Sequence, residues 1–266
     1  MRDRLDSTAT PAICLRASPT PRRTLRVSFA LRSASSAQGE LVAALERVMR
    51  LHALRAADPA RAAALDALSA WQARRLTATY ADLANDPRYA SAIEFFRNDL
   101  YGGADFTRRD ADLVRVVPAM GRLLPQPVIS TVARAVELNA LSHELDHALL
   151  ARLPGGEWVA SLPAYCAAYR DPDARPQRVR QIALIGDVGR ALDRYVRAPM
   201  IGGALAMMRK PARAAGLGAL QDFLERGFDA FRRMKGAAPF LAIIEARETR
   251  INDAIFAGDD APFPPP

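Results

Sequence analysis

The residues best suited to chemistry in this chain are His143, Glu144, Asp146 and His147, which fall together as His-Glu-Leu-Asp-His. The order is that of an HExxH motif. On a helix, residues four apart sit one turn above each other, so both imidazoles could share a zinc ion while Glu144 acts as general base on a metal-bound water. A catalytic zinc also needs a third protein ligand. No histidine follows His147, and His52 is the only other one in the chain, so the available source is a later glutamate, Glu245 or Glu248.

Two features weigh against that chemistry. The charged Asp146 is unusual inside a protease helix of this kind. HELDH is similar to the corresponding motif of peptide deformylases, but that family completes its site with an upstream cysteine, whereas Cys14 lies near the N-terminus here and Cys166 lies downstream. Glu144 to His147 also gives one ExxH element of a ferritin-like di-iron site, which needs two such elements, and no glutamate stands three residues before His52.

The element that must position these residues is a long helix over 128–153. At about 100° per residue, Ile129, Val132, Val136, Ala140, His143, His147 and Leu150 share one face. Leu138, Leu141, Leu145 and Leu149 share the opposite one, so the helix is expected to be buried on two sides. Around it the chain reads as helix throughout, because Ala, Leu and Arg dominate the segments between Pro and Gly. Asp58-Pro59 is a start signal, with Asp58 as N-cap and Pro59 at the first helical position. Asp86-Pro87 repeats it. Pro118 is expected to bend or break a helix over 107–124. Gly186-Asp187-Val188-Gly189 follows no strand and reads as a small-residue packing contact rather than a phosphate loop. The expectation is an all-α multi-helix bundle of about eight to nine helices with no sheet.

The formal charge of +8 is uneven. Residues 1–36 hold seven Arg against Asp3 and Asp6, leaving a net +3 on the rest. This segment reads as a disordered basic extension, without the apolar core of about 7 residues that a secretory signal needs. A basic tail without zinc-finger spacing or an RNP-type aromatic stretch implies no specific nucleic-acid partner. The longest mainly apolar uncharged runs, 158–169 and 198–208, fall short of the roughly 18 residues of a membrane span and read as buried helix. Two cysteines without CxxC spacing suggest no disulfide framework and fit a reducing cytoplasm. The expected organisation is one helical domain over 37–258, followed by a Pro-rich tail, 259–266, whose last six residues cannot be helical and are expected to be frayed or extended.

Phe95-Phe96-Arg97-Asn98-Asp99-Leu100-Tyr101-Gly102, followed by Asp105-Phe106 and Arg109-Asp110, resembles the signature of the bacterial FFLEELY-motif proteins. Phe95, Phe96, Leu100, Tyr101 and Gly102 match, while Arg97-Asn98-Asp99 replaces the central Leu-Glu-Glu. The likeness extends over about 36–258. It implies an all-helical protein with no established activity to carry over. Physically, Phe96 and Leu100 are four apart with Phe95 beside them, which suits a helix anchored in a core.

The functional expectation is a non-catalytic cytoplasmic helical protein, without a cofactor, that binds another protein or a second copy of itself. The alternative is a metal-dependent hydrolase, with zinc on His143, His147 and either Glu245 or Glu248, and Glu144 as base.

Overall fold

Stretches rich in Ala, Leu and Arg, punctuated by Pro, Gly and Asp, form the helices of the computed structural model, which describes residues 36–100, 106–153 and 161–265. In chain order these are α1 Ser36–Ala57, α2 Pro59–Thr79, α3 Ala81–Ala84, α4 Ala90–Phe95, α5 Phe106–Leu123, α6 Gln126–Ala151, α7 Leu162–Tyr169, α8 Arg175–Val196, α9 Pro199–Ala214, α10 Gly218–Arg233 and α11 Ala238–Phe256. A π turn, Phe96–Leu100, continues α4, and a 3-10 turn, Pro172–Ala174, leads into α8. There is no strand among the described residues. The helices number eleven rather than eight or nine; the run from Pro59 divides at Tyr80 into α2 and a 4-residue α3 too short to show its own apolar stripe, and Asp86-Pro87 forms a turn ahead of α4 rather than its first residues.

Local chemistry explains the helix ends. The Asp58 backbone is extended and its carboxylate accepts the Arg61 N–H at 3.0 Å, while Pro59 opens α2. Pro118 does not break α5, which runs on to Leu123. The proline is exposed, as is Val114 one turn earlier, so the carbonyl it strips of a partner faces solvent. Between α10 and α11 the backbone turns through Lys235 (φ 51°) and Gly236 (φ 122°). Arg88 donates to the carbonyls of Met234 and Gly236 there, and Asp193 accepts the Ala237 N–H at 2.9 Å.

Helix α6 is the central element, buried on two sides as its pattern requires. Toward α1 and α5 it packs Ile129, Ala133 and Val136 against Leu41, Leu45 and Val117. Near its C-terminal end Leu149 and Leu150 join Leu68, Trp71, Tyr165 and Ile255. A further cluster joins Tyr80, Ile93, Phe231, Phe240 and Leu241 of α4, α10, α11 and their flanks. Full burial of one such side chain stabilises by about 1.5–3 kcal/mol. The C-terminal tail is non-helical, but it is not frayed at Phe263. That ring is buried 6.2 Å from Trp71, with the Arg75 guanidinium 4.8 Å above it.

Glycines fix the crossing of α8 and α11. A Cβ on Gly189 would stand 2.4 Å from Leu241 Cδ2, and one on Gly186 would overlap the Glu245 carboxylate.

Candidate functional site

The polar residues of α6 are shared among different neighbours. Glu144 accepts from Arg47 of α1, with Nε to Oε1 at 2.9 Å and a second bond from the same guanidinium. His143 faces α1 and α5, its ring 6.0 Å from that of His52. His52 Nε2 lies 3.0 Å from Asp110 Oδ2, and Arg109 and Asn139 donate to the same carboxylate at 3.0 and 3.2 Å. Burial pushes Asp110 up, yet hydrogen bonds and charge from His52 and Arg109 outweigh it and hold the group below the usual carboxylate range. Burial, with positive charge from His52, lowers His143 to about 4, so its imidazole is neutral. Asp146 turns toward α2, accepts from Gln72 at 2.8 Å, and is pushed by burial up to about 6. His147 also faces α2, 3.5 Å from an Arg61 nitrogen, and is lowered by burial, then by Arg61 and Arg55.

Each group of the zinc alternative therefore has its own partner. Glu245 accepts from Arg190 at 2.8 Å, and Glu248 from Arg75 at 2.9 Å and the Tyr80 hydroxyl at 2.6 Å. Among the described residues no three His, Cys, Asp or Glu side chains form a group able to hold a metal ion. The guanidinium groups of Arg47 and Arg61 also stand beside the motif, and their charge opposes a dication.

The aromatic motif is built into the core. Phe95 packs 5.5 Å from Phe223 and closely against Gly227, and Phe96 stacks on Phe240 at 5.7 Å. Arg109 lies 4.7 Å over the Phe223 ring, so the motif's aromatic and Arg-Asp parts meet through that ring. Asp99 accepts from Arg226 at 2.8 Å. Leu100 ends the π turn, while Tyr101, Gly102 and Asp105 lie outside the described residues, as do Cys14 and 1–35. Cys166 is fully buried and its thiol is pushed up to about 11, which makes it a poor nucleophile.

A family model described as "Domain of unknown function (DUF8198)" matches residues 51–262, most of the chain. The chain belongs to that family. No curated protein and no solved structure matches it. The DUF8198 match takes in the aromatic motif, HELDH and all of α8 to α11.

Among the described residues of the DUF8198 domain, α9 carries the two most exposed large apolar side chains. The run 198–208 is apolar enough to be expected inside, but α9 lies at the surface, with Ala212 its one buried residue. Met200 is 83% exposed, Met207 75% and Met208 52%. Its inner side is fastened to α10: Phe228 packs against Gly202, Gln221 donates to the Leu205 carbonyl at 2.8 Å, and Arg209 and Arg213 pair with Glu225 and Asp222. On the outer side Met200, Ala204, Met207 and Pro211 lie within about 60° of arc, with Met208 at its edge. The sequence shows the apolar run but not that no described element covers its outer side.

Proposed function

We propose that this protein is a non-catalytic helical interaction domain of the FFLEELY-motif type, acting in a bacterial cytoplasm, and that it binds another protein through the outer face of α9. One observation carries the reading: a helix apolar on both sides belongs in an interior, and the described residues cover only one side of α9. A partner supplies the rest. Methionine suits the task, because its unbranched thioether adapts to the surface it meets.

The HELDH residues then have structural roles. They connect α6 to α1, α2 and α5 through Arg47, Gln72, Arg61 and the His52–Asp110 pair. The protein takes no cofactor in this reading. The interacting domain is drawn over 37–258, with 1–36 as a basic extension and the Pro-rich tail 259–266 attached through Phe263.

The test is co-purification of the full-length protein from its own cells, wild type beside a Met200→Asp, Met207→Asp double variant. Both side chains are exposed, so the variant keeps the wild-type melting temperature. The expected result is a stoichiometric protein partner that the variant loses. A partner retained equally by both refutes the assignment to α9.

A further inference from the structure

We infer that the partner presents to α9 an amphipathic helix whose apolar stripe is flanked by acidic residues; this rests on the reading that α9 binds protein. The first argument is charge. Residues 194–235, which contain α9 and α10, hold nine basic and three acidic residues, a net +6, whereas 37–266 as a whole nets +3. The rest of that span is therefore net negative, and the α9–α10 segment stays net +4 even when Asp193 and Asp99, which pair with Arg197 and Arg226 from outside it, are counted with it.

All charges on α9 are positive, and they sit in its last six residues as Arg209, Lys210 and Arg213. Arg209 and Arg213 are ion-paired with α10, which leaves Lys210 as the α9 cation with no carboxylate partner among the described residues. Lys210 lies on the edge of the apolar stripe, three residues after Met207. A second copy of this chain is a poor occupant. An antiparallel α9 pair would set the cationic end of each helix against the positive dipole end of the other, and a parallel pair would align like charges. An anionic bilayer is disfavoured too. Basic side chains contribute about 1 kcal/mol each near such a surface, and here Glu225 and Asp222 neutralise two of the three. A helix with glutamates beside its apolar stripe matches both the Met face and Lys210.

The second argument is shape. A Cβ on Gly203 would meet nothing within 4 Å, although glycine inside a helix costs about 0.5–1 kcal/mol relative to alanine. No contact among the described residues explains it. Gly203 and Ala204 leave a dent between Met200 and Met207, open to a large side chain from outside. The 16 residues of α9 offer about 24 Å of such surface.

The experiment uses the full chain against a yeast-displayed library of 18-residue helices. Leucines form a constant stripe, and the flanking positions vary among Glu, Gln and Lys. Sedimentation of the protein with phosphatidylcholine–phosphatidylglycerol vesicles and a concentration series for dimer formation run beside it. Enriched helices are expected to carry Glu on one flank, to lose at least tenfold in binding to Met207→Asp, and to switch to Lys with Lys210→Glu. Gly203→Leu, which has open space in the folded chain, is expected to weaken binding at least tenfold with an unchanged or raised melting temperature. Enrichment of neutral or Lys-flanked helices, no enrichment, vesicle binding, or a dimer lost in Met207→Asp overturns the acidic-helix inference. Neutral or Lys-flanked binding that still depends on Met207 leaves α9 as the docking face. Enrichment insensitive to Met207→Asp overturns that reading as well.

Discussion

His143 and Asp146 stand three residues apart on α6 and respond to pH in opposite senses. His143 is lowered from 6.5 to about 4 chiefly by burial, so its contribution to stability is intact above 6.5 and is lost as pH falls toward 4. Asp146 is raised from 3.8 to about 6 by burial, so its contribution is intact below 3.8 and is lost as pH rises through 6. Each effect is on the order of 1–3 kcal/mol. Urea midpoints measured from pH 4 to 8 should show His143→Gln flattening the acid limb and Asp146→Asn flattening the opposing slope, with Asp146→Asn above wild type at pH 7.5. Parallel profiles for either variant would contradict the burial of that group. The HELDH spacing was legible in the sequence, but the partners that give it meaning were not. Arg47, Arg61 and Gln72 lie 74 to 97 residues away, and only the packing of α1 and α2 on α6 brings them in.

At the scale of elements, punctuation was the most readable signal. Asp58-Pro59 predicts the start of α2, and the cap is there with its hydrogen bond. Asp58→Ala should therefore lower stability by about 0.5–2 kcal/mol in urea, with Asp58→Ser recovering most of the loss. The small-residue reading of 186–189 separates into two outcomes. Gly189→Ala drives a Cβ into Leu241, which is 2% exposed and unable to move aside, and should cost about 1–3 kcal/mol. Gly186→Ala meets the carboxylate end of the part-exposed Glu245 side chain, which can swing away at the expense of its ion pair with Arg190, and should cost less than Gly189→Ala in the same assay. The helix that carries Phe95 was legible, but it begins at Ala90 because Asp86 to Tyr89 form a turn; the short α3 and the π turn were not legible, since one turn carries no period. Pro118 does not break α5, since the cost of a proline depends on whether the freed carbonyl reaches water, a property of the fold.

At the scale of the whole molecule, the all-α architecture followed from composition, whereas the exposure of α9 did not. An uncharged apolar run signals that something buries it; whether that is the same chain is decided by the number and arrangement of the other helices. Here α10 covers one side and leaves Met200 and Met207 in solvent. Substitutions of the exposed Met200 and Met207 should change folding stability by no more than about 0.5 kcal/mol, which separates binding from folding in any assay.

The central claim, that the outer face of α9 is covered by another protein, is tested most directly by photo-crosslinking in the native cells. A photoreactive amino acid replaces Met207 in one strain and Val179 of α8, itself 54% exposed, in another. The account predicts a discrete protein adduct from position 207 that is absent from position 179. Equal adducts at both positions, or none at 207, would contradict it.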